Sequence, residues 1–108
     1  MRVLHKNDGT YVDYSLSGAI LSLRGGQLTL NLAELERDYT VYIDISEDAA
    51  GRLTLGVAHR YVAQLELPAR RSVVEKTGVA DDFGFPVLRR VYMPINTDDV
   101  ALTLWGVK

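Results

Sequence analysis

Residues 39 to 46 set the pattern for this chain: Tyr39, Val41, Ile43 and Ile45 alternate with Thr40, Tyr42, Asp44 and Ser46. Successive side chains on a β-strand point to opposite faces, so the first set is expected against a core and the second toward water. Similar alternation marks Arg2 to Lys6, Ala19 to Arg24, Gln27 to Leu32, Arg52 to Ala58, Tyr61 to Leu67, Ser72 to Lys76, Val87 to Met93 and Val100 to Val107. Gly25-Gly26 between two of these segments suits a two-residue hairpin loop, which demands positive φ. Asp8-Gly9, Glu47 to Gly51, Gly78 to Pro86 and Asn96 to Asp99 carry the residues of turns. Pro68 and Pro94 lack the amide a ladder needs and should bound their strands.

Only Asn31 to Asp38 offers a helix, because Asn31 with Glu34 three residues on has the form of a capping box and Leu32 and Leu35 share a face. The pattern therefore predicts an all-β fold: a compact antiparallel sandwich or barrel of about eight short strands with at most one short helix. A length of 108 residues fits a single domain over 1–108. Size scaling gives such a fold a surface of about 6,000 Å². Leu-Thr-Leu occurs at residues 28, 53 and 102, but the unequal intervals do not make a repeat.

Hydrophobic residues make up 47% of the chain and charged ones 24%, which suits a folded domain. No apolar run reaches the length of a membrane span, and Met1-Arg2-Val3-Leu4-His5-Lys6 lacks a secretory apolar region, so the expected location is cytoplasmic with no membrane partner. The absence of cysteine excludes disulfides, thiolate metal sites and cysteine nucleophiles. Net charge is −2, and neither half of the chain has the strong basic excess of a phosphate-reading domain, which argues against nucleic acid as a partner.

Little in the sequence points to chemistry. His5 and His59 are the only histidines, and no nucleophile, base and orienting group stand in a recognisable spacing. Asp44, Ser46 and Asp48 begin like a calcium loop, but Ala49 stands where glycine is required and Leu55 where a bidentate glutamate is required. Asp82-Phe83-Gly84 matches a kinase magnesium triplet without the rest of that machinery. No catalytic residue, cofactor or metal is expected, and the chain reads as a non-enzyme.

The suggestive charges are Arg70-Arg71 and Arg89-Arg90, on segments able to pair as a hairpin about the Gly78 to Pro86 loop, with Tyr61 and Tyr92 nearby in sequence. Arginines and tyrosines on one sheet face can stack single-stranded bases. The plainer reading pairs Arg89 or Arg90 with Glu75 across the strands. Ala19 to Leu23 and Val100 to Trp105 carry no proline and almost no charge, so either would be an unprotected edge if it lay at a rim. Trp105, the only tryptophan, either plugs the core or serves an interface. Trp105, Arg70, Arg71, Arg89, Arg90 and Tyr92 form the expected interaction surface.

The succession Tyr39-Thr40-Val41-Tyr42-Ile43, Ala63-Gln64-Leu65-Glu66-Leu67-Pro68 and Leu102-Thr103-Leu104-Trp105 resembles small prophage-encoded structural or accessory proteins. That resemblance implies a virion or assembly component whose work is association. The expected function is thus a non-enzymatic structural or assembly module, binding itself or another protein in the cytoplasm or, if phage-derived, in a virion. The alternative is a small β-barrel domain that binds single-stranded nucleic acid or a small molecule.

Overall fold

The computed structural model describes residues 1–106. Its strands are β1 (Arg2–His5), β2 (Tyr14–Ser17), β3 (Ile20–Leu23), β4 (Leu28–Asn31), β5 (Val41–Glu47), β6 (Leu53–Leu55), β7 (Arg60–Leu67), β8 (Ser72–Ala80), β9 (Pro86–Tyr92) and β10 (Ala101–Leu104). A single turn of helix, α1 (Leu32–Leu35), follows β4, and a 3₁₀ turn spans Thr97–Asp99. Over the described residues the fold is all-β, as the alternation predicts, with ten strands in three sheets. A five-stranded sheet has the order β1-β10-β7-β5-β6, a three-stranded one the order β2-β3-β4, and β8 pairs with β9 alone. No sheet closes into a barrel, and β1 runs parallel to β10.

The two larger sheets share one apolar core. Leu21, Leu23 and Leu30 from the smaller sheet join Ile45, Val62, Leu65, Leu67, Leu102 and Leu104 from the larger, with Leu32 of α1. In the central register Ile43, Leu65 and Leu102 lie side by side, as do Ile45, Ala63 and Leu104. Each fully buried leucine contributes roughly 1.5–3 kcal/mol relative to exposure.

A bulge shapes the middle of the larger sheet. The register of β5 on β7 shifts between Ile45 and Ser46: Ile45 faces Ala63, yet Ser46 faces Tyr61, so Val62 is the extra residue. Val62 consequently turns into the core with no exposure, and Tyr61 moves to the outer face beside Asp44 and Gln64.

Several expectations from the sequence are corrected. Tyr39 lies outside β5 and is 63% exposed, because the strand begins at Val41. Ser46 is fully buried, since the chain after β6 covers it and its hydroxyl donates to the Gly56 carbonyl at 2.8 Å. The Gly25-Gly26 hairpin pairs Leu23 with Leu28, which makes a four-residue loop; Arg24 within it takes a positive φ of 51°. Strand β2 lies in a stretch where no strand is expected. Arg52 to Ala58 contracts to β6, and the loop expected over Gly78 to Pro86 narrows to residues 81–85, with Ala80 pairing Pro86 at its base. Neither Ala19 to Leu23 nor Val100 to Trp105 is a rim: β3 lies between β2 and β4, and β10 between β1 and β7. Val107, the expected end of the last strand, lies outside the described residues.

The helix expectation holds in shortened form. Asn31 Oδ1 accepts from the Ala33 amide at 3.2 Å, one residue earlier than a capping box requires.

Candidate functional site

Strands β8 and β9 form an arm that leaves the body. Nine residues of β8 span about 30 Å at strand rise, and the molecule measures 66 × 23 × 21 Å. Its radius of gyration is 18.7 Å, against about 13 Å for a compact chain of this length. The surface of 7027 Å² likewise exceeds the compact expectation.

The turn chemistry of the arm shapes its tip. The Asp81 amide donates to the Phe85 carbonyl at 2.8 Å, the Gly84 amide to the Asp81 carbonyl at 3.0 Å, and Gly84 adopts a φ of 81°. That is a three-residue hairpin loop closed by a left-handed glycine. Asp81 Oδ1 accepts from the Phe83 and Phe85 amides, each at 2.9 Å. The result presents Phe83, 86% exposed, and Phe85, 66% exposed, at the far end of the molecule.

Register assigns the faces of the arm. Val73 opposes Val91 and Glu75 opposes Arg89 on one face, where the Glu75–Arg89 ion pair forms. The other face carries Ser72 opposite Tyr92, Val74 opposite Arg90 and Lys76 opposite Leu88. Along residues 71–94 only Glu75 and Val91 are not exposed. Val74, Leu88 and Tyr92 therefore lie in water beside two cations that have no ion-pair partner among the described residues.

At the root, Arg70 fastens arm to body. Its Nε donates to Asp38 Oδ1 at 2.8 Å, and its guanidinium lies 3.8 Å over the Tyr92 ring. The Arg70 guanidinium holds the Asp38 carboxyl below the usual carboxylate range, and Asp38 in turn raises Arg70. The Arg71 carbonyl accepts from the Met93 amide at 2.8 Å and closes the base.

Trp105 is elsewhere. It stands half-buried on the outer face of the five-stranded sheet, its ring edge-on to Tyr61 at 4.8 Å. Tyr61 donates to Asp44, and burial together with that carboxylate pushes its hydroxyl up to about 12. The structure thus gathers Arg70 and Tyr92 at the arm root, places Arg71 beside them, sends Arg89 and Arg90 to opposite faces, and leaves Trp105 on the body. Sequence reasoning missed Phe83 and Phe85 as surface features. Their signal was the Asp81 to Gly84 turn, which repeats the Asp48 to Gly51 turn of the body: there too the aspartate Oδ1 accepts two amides at 2.9 Å, from Ala50 and Arg52.

The remaining candidates for chemistry are occupied by structural contacts. Asp44 accepts from Tyr61 and from Gln64, and Asp48 caps its own turn. No group of three His, Asp or Glu able to hold a metal occurs among the described residues. A cleft of about 330 Å³ between Tyr11, Asp13, Arg24, Glu47 and Arg60 is crossed by the Arg24–Glu47 ion pair at 3.1 Å. No described helix is long and apolar enough to cross a membrane. Comparison with protein-family models, curated proteins and solved structures finds no match for this chain.

Proposed function

We propose that this chain is a structural assembly module that joins a protein partner, itself or another chain, through the β8–β9 arm. The observation that carries this reading is the exposure of Val74, Val79, Phe83, Phe85 and Leu88 along a ribbon with no sheet behind it. An isolated two-stranded ribbon is marginally stable in water, and exposed aliphatic and aromatic side chains gain free energy when a partner covers them. An arm of this kind is fully stabilised only when docked. A virion or assembly component, the class the sequence resembles, is a setting that supplies such a partner.

Single-stranded nucleic acid is the weaker reading. Stacking needs open aromatic faces beside cations; here the exposed Phe83 and Phe85 stand beside Asp81 and Asp82, the Arg70 guanidinium lies over one face of Tyr92, and Tyr61 is packed against Trp105 on the body. Hydroxyl-radical footprinting of dilute and concentrated protein, with and without host extract, tests the assembly reading. Protection centred on Phe83, Phe85 and Leu88 is the expected result. Unchanged labelling of the arm under every condition contradicts it.

A further inference from the structure

The outer face of the five-stranded sheet has a pattern that matches the arm. On β5 and β7, Tyr42 is paired with Glu66, and Asp44 with Gln64 one rung further along the same face. Asp44 and Glu66 thus stand on neighbouring strands in a diagonal relation, one same-face rung apart. On the arm, Arg90 pairs with Val74 and Lys76 with Leu88, so the two cations stand in the same diagonal relation. Diagonal neighbours on adjacent strands lie about 7–8 Å apart in either sheet. Aromatic or apolar groups stand beside each charge pair: Tyr42 opposite Glu66 and Tyr61 against Asp44 on the body, and Val74 and Leu88 opposite the cations on the arm.

Charge distribution favours the same match. Residues 70–93 hold five basic and three acidic side chains, two of the acids being Asp81 and Asp82 at the tip; the rest of the chain holds seven basic and eleven acidic. The arm is a cationic ribbon on an acidic body. Arg2, paired with Ala101 at the rim of the same face, is the one cation there among the described strand residues.

From these observations we infer that the occupant of this sheet face is the arm of a second copy of the chain, with Arg90 and Lys76 meeting Glu66 and the Asp44 Oδ2 that the Tyr61 and Gln64 bonds to Oδ1 leave open. This rests on the assembly reading and names its partner. One face of a ribbon this size covers on the order of several hundred Å² per partner, the low end for a specific interface, so association depends on concentration and weakens with salt.

The test uses complementary variants of the full chain, with fold verified by circular dichroism. Lys76→Glu with Arg90→Glu makes an arm-defective chain; Glu66→Lys makes a face-defective chain, and exposed Tyr42→Lys is a second route to the same defect. Sedimentation velocity is expected to show self-association of the wild type, weakened at least about tenfold in each variant alone by like-charge contact. Mixing an arm-defective with a face-defective chain brings a native arm to a native face and restores association. If the arm variant loses association while both face variants keep it, the arm docks elsewhere: this inference fails and the assembly reading stands. A wild type that stays monomeric throughout overturns this inference and removes self-assembly from the reading above it.

Discussion

Arg70 lies 3.8 Å over the ring of Tyr92 while its Nε donates to Asp38, so one side chain ties the body loop before β5 to the last residue of the arm. Arginine suits this position because its planar guanidinium can stack and hydrogen-bond at once. Arg70→Ala is expected to speed amide exchange in β8 and β9 while leaving β7 and β10 unchanged. Equal exchange across the arm in both proteins would mean that the root is held by other contacts.

The same pair fixes a pH dependence. Arg70 lowers the Asp38 carboxyl, so its contribution is present above the unfolded value near 3.8 and is lost as pH falls through the lower folded value. A carboxyl titration followed by NMR should place the Asp38 midpoint below 3.8, and Arg70→Ala should move it upward. An unmoved midpoint would assign the shift to another cause.

Tyr61 titrates in the opposite sense. Its folded value of about 12 lies above the ordinary 10, so the stabilisation is complete below pH 10 and disappears as pH rises toward 12. Tyrosinate absorbance should show Tyr61 as a late-titrating group. Asp44→Asn removes the neighbouring negative charge and should bring that group down, whereas a titration identical to wild type would contradict the Tyr61–Asp44 contact.

In the core, Leu65 is fully buried between Ile43 and Leu102 in the register. Leu65→Ala should cost about 2–5 kcal/mol in chemical denaturation. Tyr39→Ala, outside the strand and exposed, should stay within about 0.5 kcal/mol. A reversal of that order would misplace the core.

Those two residues also show how far the pattern could be read. Alternation reports that a segment is a strand and which residues share a face, and it located β5 and β7. It does not report where a strand starts: Tyr39 has the phase of Val41 and Ile43 but lies ahead of the strand. Nor does it foresee a bulge: one extra residue at Val62 exchanges the faces of Val62 and Tyr61. The arm was legible as a hairpin between segments bearing Arg70 and Arg90, because the strand propensity and the turn residues were both present. Its projection was not. Val74 and Leu88 alternate with polar neighbours in the same way whether they face a core or a partner, and only three-dimensional placement separates the two.

Gly106 gives a test of the other end of the body. Its amide donates to Asn7 Oδ1 at 2.6 Å, and a Cβ added there would lie 2.6 Å from the Asp8 carbonyl oxygen and 2.8 Å from the Gly9 Cα. Gly106→Ala should therefore destabilise by about 1–3 kcal/mol, as overpacked sites do. A melting temperature equal to wild type would show that the two backbones separate at no cost.

The central claim is that the arm is the element of association, and its tip and cationic face test it together. Sedimentation velocity would compare the full chain with a variant carrying Val74→Thr, Phe83→Ser, Phe85→Ser and Leu88→Thr, each at an exposed position outside the core. The wild type should rise above 12.0 kDa with concentration, or bind a protein from host extract that the variant does not bind, and the variant should remain at monomer mass. Equal association of the two proteins, or none by either with itself or with any extract component, would contradict it.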